Sequence, residues 1–226
     1  MDATNGKRYL CLYDLPAFSG MDRTFFHSIC HATNKLNKKK GEFLFNQGDP
    51  AYAIYLIKEG SFKLVSITEN GQETIIQIAG PGEIIGEADL FREITVLSVS
   101  AIALEEAKVC SLNRHSFENI IKNEPEIALQ VIRNLGKRLN DTWERIAELN
   151  TQTIQEKVLS LFIRLAREYG EPCTEGTIIR IYLTQQEIAS SVGASRVMVS
   201  QVLGELIDRN YIYKKEKHYV LRGKCF

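Results

Sequence analysis

Long apolar runs are missing from this chain: no stretch of its 226 residues approaches the roughly 20 needed to cross a bilayer. The opening Met1-Asp2-Ala3-Thr4-Asn5-Gly6-Lys7 also lacks the apolar centre of a secretory signal. The chain is therefore expected in the cytoplasm, away from membranes. Net charge is missing as well, since 28 Lys and Arg balance 28 Asp and Glu, so the chain as a whole advertises no polyanion partner. The five cysteines, Cys11, Cys30, Cys110, Cys173 and Cys225, are scattered and form no Cys-x-x-Cys pair. That gives no pattern for zinc, dithiol or iron–sulfur chemistry. Reduced, structural thiols are the expectation, and no spacing argument supports a switch joining Cys11 to Cys110 or Cys173. His27 and His31 stand one helical turn apart without a third ligand nearby, so no metal site is expected. No convergent nucleophile, base and oxyanion set appears, and no glycine-rich nucleotide loop. Catalytic residues are expected to be none, and the chain is not read as an enzyme.

What is present suits a folded protein of one large or two modest domains, 44% hydrophobic and 25% charged. After a short helical stretch around Met21 to Thr33, glycines at 41, 48, 60, 71, 80, 82 and 86 punctuate the chain to about Leu112. Between them lie β-branched and aromatic runs, Ala53 to Ile57, Phe62 to Ile67 and Thr74 to Ile78, with the turn signal Asn70-Gly71 between the last two. Turn spacing near ten residues predicts a small antiparallel barrel or jelly roll. Pro125 then opens a long helix to about Asn150. Within it Ile132, Leu135, Leu139, Thr142, Ile146 and Leu149 follow steps of three and four, the pattern of a seam by which two parallel helices pair or of an amphipathic helix lying on its own domain; Arg133, Lys137, Arg138, Glu144 and Arg145 keep the rest of the surface polar, which favours the seam. A second helix, Ile154 to Tyr169, stops near Gly170 and Pro172, and a strand is expected over Thr177 to Leu183.

From Thr184 onward seven Lys and Arg face four acids, so this end is locally basic. Thr184 and Glu187 have the spacing of a capping box opening a helix to Val192. Gly193 supplies a turn, and Ser195 caps a second helix reaching Asn210. Tyr211 to Tyr213 and His218 to Leu221 read as a hairpin with the charged tip Lys214-Lys215-Glu216-Lys217. Helix, helix and β-wing is the outline of a DNA reader. Ile188, Val192, Val199, Leu203, Leu206 and Ile207 are expected to pack the pair. That leaves Arg196, Val197, Ser200 and Gln201 on the outer face, with Lys214, Lys215 and Lys217 placed for phosphates.

Leu183-Thr184-Gln185-Gln186-Glu187-Ile188-Ala189 followed by Val192-Gly193-Ala194-Ser195-Arg196 resembles the helix-turn-helix of the Crp/Fnr family of regulators. Gly80-Pro81-Gly82-Glu83-Ile84-Ile85-Gly86-Glu87 with Leu90-Phe91 resembles that family's cyclic-nucleotide-type β-roll, and Pro125 to Asn150 sits where its dimer helix does. The likeness covers nearly the whole chain. It implies an α+β protein: an effector-binding β-roll over 1–124, a dimerisation helix over 125–152 and a winged helix-turn-helix over 153–226. It further implies a homodimer on a palindromic operator in double-stranded DNA, with RNA polymerase as a protein partner. Carried over, Arg196 reads a base while Gln186 and Ser195 contact phosphate. Val197 departs from the glutamate usual in the cAMP- and oxygen-responsive members, exchanging a hydrogen-bond acceptor for an apolar contact that suits a thymine methyl. Gln201 stands where a second arginine is common and suits adenine better than guanine.

In cAMP-binding members the glutamate after glycine holds the ribose and an Arg-Ser pair neutralises the phosphate. Gly86 and Glu87 are present here, but the arginine position falls on Leu97 and the serine on Ser98. A buried phosphate would lose its charge-assisted partner, so cyclic AMP is not expected. Thr142 matches a family residue that approaches the purine, and Trp143 replaces a small polar one. The effector set is thus Gly86, Glu87, Leu97, Ser98, Thr142 and Trp143, with two readings open. Either Trp143 caps an unidentified small-molecule effector, or it fills a pocket that binds nothing and regulation is constitutive. Only Cys11 and Cys30 precede the roll, so an iron–sulfur cluster is not expected.

Overall fold

The computed structural model describes residues 33–90, 96–123 and 125–222. The helix expected around Met21 to Thr33 lies outside the described residues but for its last position. The chain divides into two compact units, one running to Gly71 and over Gln77–Asp141, the other holding Gln72–Ile76 and everything from Thr142. No helix among the described residues is long and apolar enough to cross a membrane.

In the first unit β1 (Asn34–Lys38), β8 (Ala107–Asn113), β3 (Ala53–Glu59) and β6 (Ile84–Ile85) form one antiparallel sheet in that order. A second sheet runs β2 (Phe43–Phe45), β7 (Ser100–Ala103), β4 (Phe62–Ile67) and β5 (Glu73–Ala79). Strand pairing is non-local, as a jelly roll demands: Ile54 lies opposite Leu112 and Leu56 opposite Cys110. Both sheets feed one core. Phe45, Phe62, Leu64 and Ala101 come from one sheet and Ile57, Ile85 and Val109 from the other, all nearly inaccessible. The Phe45 and Tyr55 rings lie 5.3 Å apart at the core's margin. Burial of each such large side chain contributes about 1.5–3 kcal/mol, which is what holds two otherwise solvent-wetted sheets face to face.

A helix at Arg114–Asn123 and the long helix Pro125–Thr151, 27 residues or about 40 Å, follow the roll. Ile132, Leu135, Leu139, Trp143 and Ile146 stand exposed along the long helix, whereas Val131 is buried. That helix ends because the next one has its own start signal. Thr153 accepts from the Glu156 amide and Glu156 returns the bond to the Thr153 amide, a capping box that opens Ile154–Tyr169.

The second unit packs that helix, through Val158, Leu161, Phe162 and Leu165, against a sheet ordered β11 (Ile212–Lys215), β12 (His218–Arg222), β10 (Gly176–Ile179) and β9 (Gly170–Cys173). Phe162 meets Tyr219 with ring centroids 4.9 Å apart. Two features differ from the sequence reading. The helix does stop at Tyr169, but Gly170 and Pro172, read only as stop signals, go on to form β9; β9 is an edge strand, the place where a sheet tolerates proline. The strand expected to reach Leu183 leaves the sheet after Ile179, because Ile181 and Leu183 turn inward to be buried in the unit's core.

Two glycines in tight turns differ instructively. Both Gly60 (φ +78°) and Gly193 (φ +66°) are left-handed, but a Cβ on Gly60 would lie 2.4 Å from the Glu106 carbonyl while one on Gly193 would meet nothing. Gly193→Ala should therefore cost about 1 kcal/mol of unfolding free energy from backbone strain alone. Gly60→Ala should cost roughly 3 kcal/mol, since strain adds to a collision with main chain. Urea unfolding of the two variants checks this; equal losses would show that the Gly60 turn is not tightly packed.

Candidate functional site

The second unit builds its outward face by starting two helices at fixed points. Thr184 caps Gln185–Val192: its hydroxyl and amide both donate to the Glu187 carboxylate at 2.7 Å, and the Glu187 amide donates back to the Thr184 hydroxyl at 3.2 Å. Gly193 ends that helix in the left-handed region, its N–H donating to the Ala189 carbonyl. Two residues later the Ser195 hydroxyl accepts from the Met198 amide at 3.2 Å and opens Arg196–Asp208. Ile188, Ala189 and Val192 face Val199, Leu203 and Leu206 across this pair, all buried. Arg196, Val197, Ser200 and Gln201 consequently stand exposed, Val197 at 78%. Ile207, expected in the core, is instead exposed at 39%, because it sits at the margin of the buried stripe. Gln201 donates its amide to Glu205 one turn further on, at 3.3 Å, which orients it along the helix surface.

Beside the helix pair the wing hairpin is shorter at its tip than the sequence suggested. β11 extends through Lys215, which pairs with His218, so only Glu216 and Lys217 turn, Glu216 at φ +55°. Lys214 and Lys215 are exposed. At the wing's base Arg222 lies over the Tyr213 ring at 5.1 Å, and a hydrogen bond to the Glu175 carboxylate pushes the Tyr213 hydroxyl up to about 12. A cleft of about 390 Å³ joins the two elements and is lined by Gln186, Arg196 and Lys214 together with Tyr182, Thr184 and Gln185. Three of the predicted DNA-contacting residues thus converge at one helix N-terminus, whose amides and dipole favour an anion. Tyr182 and Gln185 were not singled out in the sequence; their place beside the Thr184 cap is the signal that marks them. Ser195 and Ser200 lie on the helix face itself, outside that cleft's lining.

In the first unit Gly86 and Glu87 open the short helix Glu87–Leu90. Glu87 is 5% exposed, and Arg138 of the long helix donates to its Oε1, to the Ile84 carbonyl at 2.5 Å and toward Glu83 at 3.5 Å. Oε2 of Glu87 is buried and accepts from nothing among the described residues. Burial pushes the Glu87 carboxyl above the usual carboxylate range, and the Arg138 guanidinium pulls part of the way back. Arg138, expected on the polar surface of the long helix, is instead half-buried against Glu87, because it stands seven residues after the buried Val131 on the same helix face. Leu97 belongs to the hydrophobic core of the roll, fixed there by backbone bonds to Gly48 and Asp49 at 2.8 Å. Ser98 is committed too, donating from its amide and hydroxyl to the buried Asp89 at 3.1 and 3.0 Å. Thr142 and Trp143 are exposed residues of the second unit. Among the described residues no three His, Cys, Asp or Glu converge as for a metal ion. Cys110 is buried and Cys173 half-buried, while Cys11, Cys30, His27 and His31 lie outside the described residues.

Comparison with known proteins gives two family matches, a cyclic nucleotide-binding domain over residues 35–124 and a Crp-like helix-turn-helix domain over 156–222. A CRP-like cAMP-activated global transcriptional regulator of Mycobacterium tuberculosis is 29% identical over 206 residues, 90% of this chain and 91% of that one. The anaerobic regulatory protein of Bacillus subtilis is 27% identical over 192 residues, 85% of this chain and 81% of that one. Among solved structures, the c-di-GMP-responsive global regulator CLP of Xanthomonas campestris shares the fold, with TM-score 0.74 and 22% identity over 89% of this chain and all of that one.

The Arg138 and Glu87 pair yields a pH signature. A carboxyl whose folded-state value is raised contributes stability at low pH that is lost as pH rises through that value, and Arg138 opposes the loss. Arg138→Leu should therefore lower stability by roughly 3 kcal/mol at pH 8 and by clearly less at pH 5, with Glu87→Gln in the same chain restoring most of it. Thermal unfolding at the two pH values is the measurement; a loss independent of pH would mean that Arg138 only packs.

Proposed function

Because the chain belongs to the Crp/Fnr family, whose members are transcription regulators and not enzymes, we propose that it binds a palindromic operator as a homodimer in the cytoplasm. The helix Arg196–Asp208 enters the major groove. The observation that carries this reading is the sharp division of that helix, with Val199, Leu203 and Leu206 buried and Arg196, Val197, Ser200 and Gln201 outward. Arg196, one residue past its Ser195 cap, reaches a guanine edge with two donors. Val197 meets a thymine methyl and Gln201 an adenine, so the half-site differs from one read by arginine and glutamate. Lys214, Lys215, Gln186 and Ser195 hold phosphates and set register without reading sequence. Dimerisation runs along the exposed apolar positions Ile132, Leu135, Leu139 and Ile146. RNA polymerase is the protein partner at the promoter.

The roll takes a small-molecule effector other than cyclic AMP. Support comes from Glu87, a buried carboxylate with one oxygen that has no partner among the described residues and that a ligand hydroxyl or amine would complete. Leu97 provides no charge for a phosphate. A second reading, constitutive regulation, draws on Arg138, which already neutralises Glu87 from within the chain. A ligand alters activity only if it favours one arrangement of the dimer over another.

Arg196→Ala should reduce discrimination between the preferred palindrome and scrambled duplex by about ten- to a hundredfold, the equivalent of roughly 1–3 kcal/mol, while leaving the unfolding midpoint unchanged. Footprinting of wild type and variant decides it, and an unchanged footprint would refute the assignment. Thermal-shift measurements against a metabolite panel should show no stabilisation by cyclic AMP. A shift from another compound, absent in Glu87→Ala, identifies the effector class, and a silent panel favours the constitutive reading.

A further inference from the structure

Gly204 occupies the interior of the helix Arg196–Asp208, where glycine weakens a helix relative to alanine. Nothing among the described residues asks for it. A Cβ at this position would meet no atom within 4 Å, and Gly204 is not among the positive-φ glycines. Gly60, Gly170 and Gly176 are different, each having main chain within 3 Å of the missing Cβ. The reason for an exposed, unstrained, unpacked helical glycine is therefore to be sought outside the molecule.

Its position says what meets it. Gly204 follows Val197 by seven residues, Ser200 by four and Gln201 by three, so it shares their exposed face and lies opposite Val199, Leu203 and Leu206. It comes eight residues after Arg196, or about 12 Å along the axis. A recognition helix lies in the groove with its N-terminal residues on base edges, so its later outward positions, Gly204 among them, run on past the bases along the sugar-phosphate wall. One turn further, exposed Asp208 would face phosphate with like charge, which ends the DNA-facing stretch before it.

We infer that Gly204 is the point of closest approach between the helix and the DNA backbone. This rests on the reading that Arg196–Asp208 docks in the groove. With no side chain at 204, a phosphodiester strand can lie against the helix main chain, as glycine allows wherever backbone and ligand must touch. That contact sets how deeply Arg196, Val197 and Gln201 reach. Gly204 is a positioning residue: it touches no base, and it determines whether its neighbours can.

The test uses the full chain and a duplex enriched from a random pool by the wild-type protein. Affinity for that duplex and the thermal midpoint are measured for wild type, Gly204→Ala and Gly204→Leu. The inference expects Gly204→Ala to hold or raise the midpoint by a few degrees while weakening binding about tenfold. Gly204→Leu should weaken it a hundredfold or more. Undiminished binding by Gly204→Ala overturns the inference alone, as does a lowered midpoint, which would make the glycine structural. Failure of the wild type to enrich any duplex overturns the DNA reading, and this inference with it.

Discussion

The first backbone amides of any helix have no partner inside it, and in the second unit a side-chain hydroxyl supplies one at each of three helix starts. Thr153, Thr184 and Ser195 each accept from an amide three residues on, and the two threonines are closed by reciprocal glutamates. These bonds do more than stabilise. A helix is a rotating register of side chains, so moving its start by one residue turns every later position by about 100°. Ser195 as cap places Arg196 at the first helical position and Val199 and Leu203 in the core; no other start would leave Val197 and Gln201 facing out. The burial of Val199, Leu203 and Leu206 and the exposure of Arg196, Val197, Ser200 and Gln201 are one fact seen from two sides.

The first unit depends on a different economy of charge. Glu87 is enclosed by the roll, and its carboxylate is tolerable only because Arg138 approaches from the long helix. The arginine also holds the Ile84 carbonyl, so it ties the helix to strand β6 as well as to the acid. A buried pair of this kind makes the position of that stretch of helix relative to the roll sensitive to anything that competes for either partner, whether a proton, a cation or a hydrogen-bonding ligand.

Legibility in the sequence followed the range of the interaction. The caps at Thr184 and Ser195, the Gly193 turn and the ends of the helix Ile154–Tyr169 all stood in local pattern, since their partners lie within four residues. Arg138 and Glu87 are 51 residues apart, and nothing near either names the other. Strand β9 was hidden by Gly170 and Pro172, which oppose a strand by propensity; pairing with β10 supplies what propensity withholds. Leu97 shows the limit of counting along a resemblance, because its direction comes from backbone bonds to Gly48 and Asp49 that carry it into the core.

Strand β9 has one more consequence. The sheet of the second unit has two edges, β9 and β11, and an open edge invites another chain to add a strand and begin aggregation. Pro172 lacks the amide that such an addition would use on one side. On the other, the exposed ammonium groups of Lys214 and Lys215 would have to be desolvated beneath an incoming strand. The exposed lysines of the wing therefore also keep the sheet four strands wide.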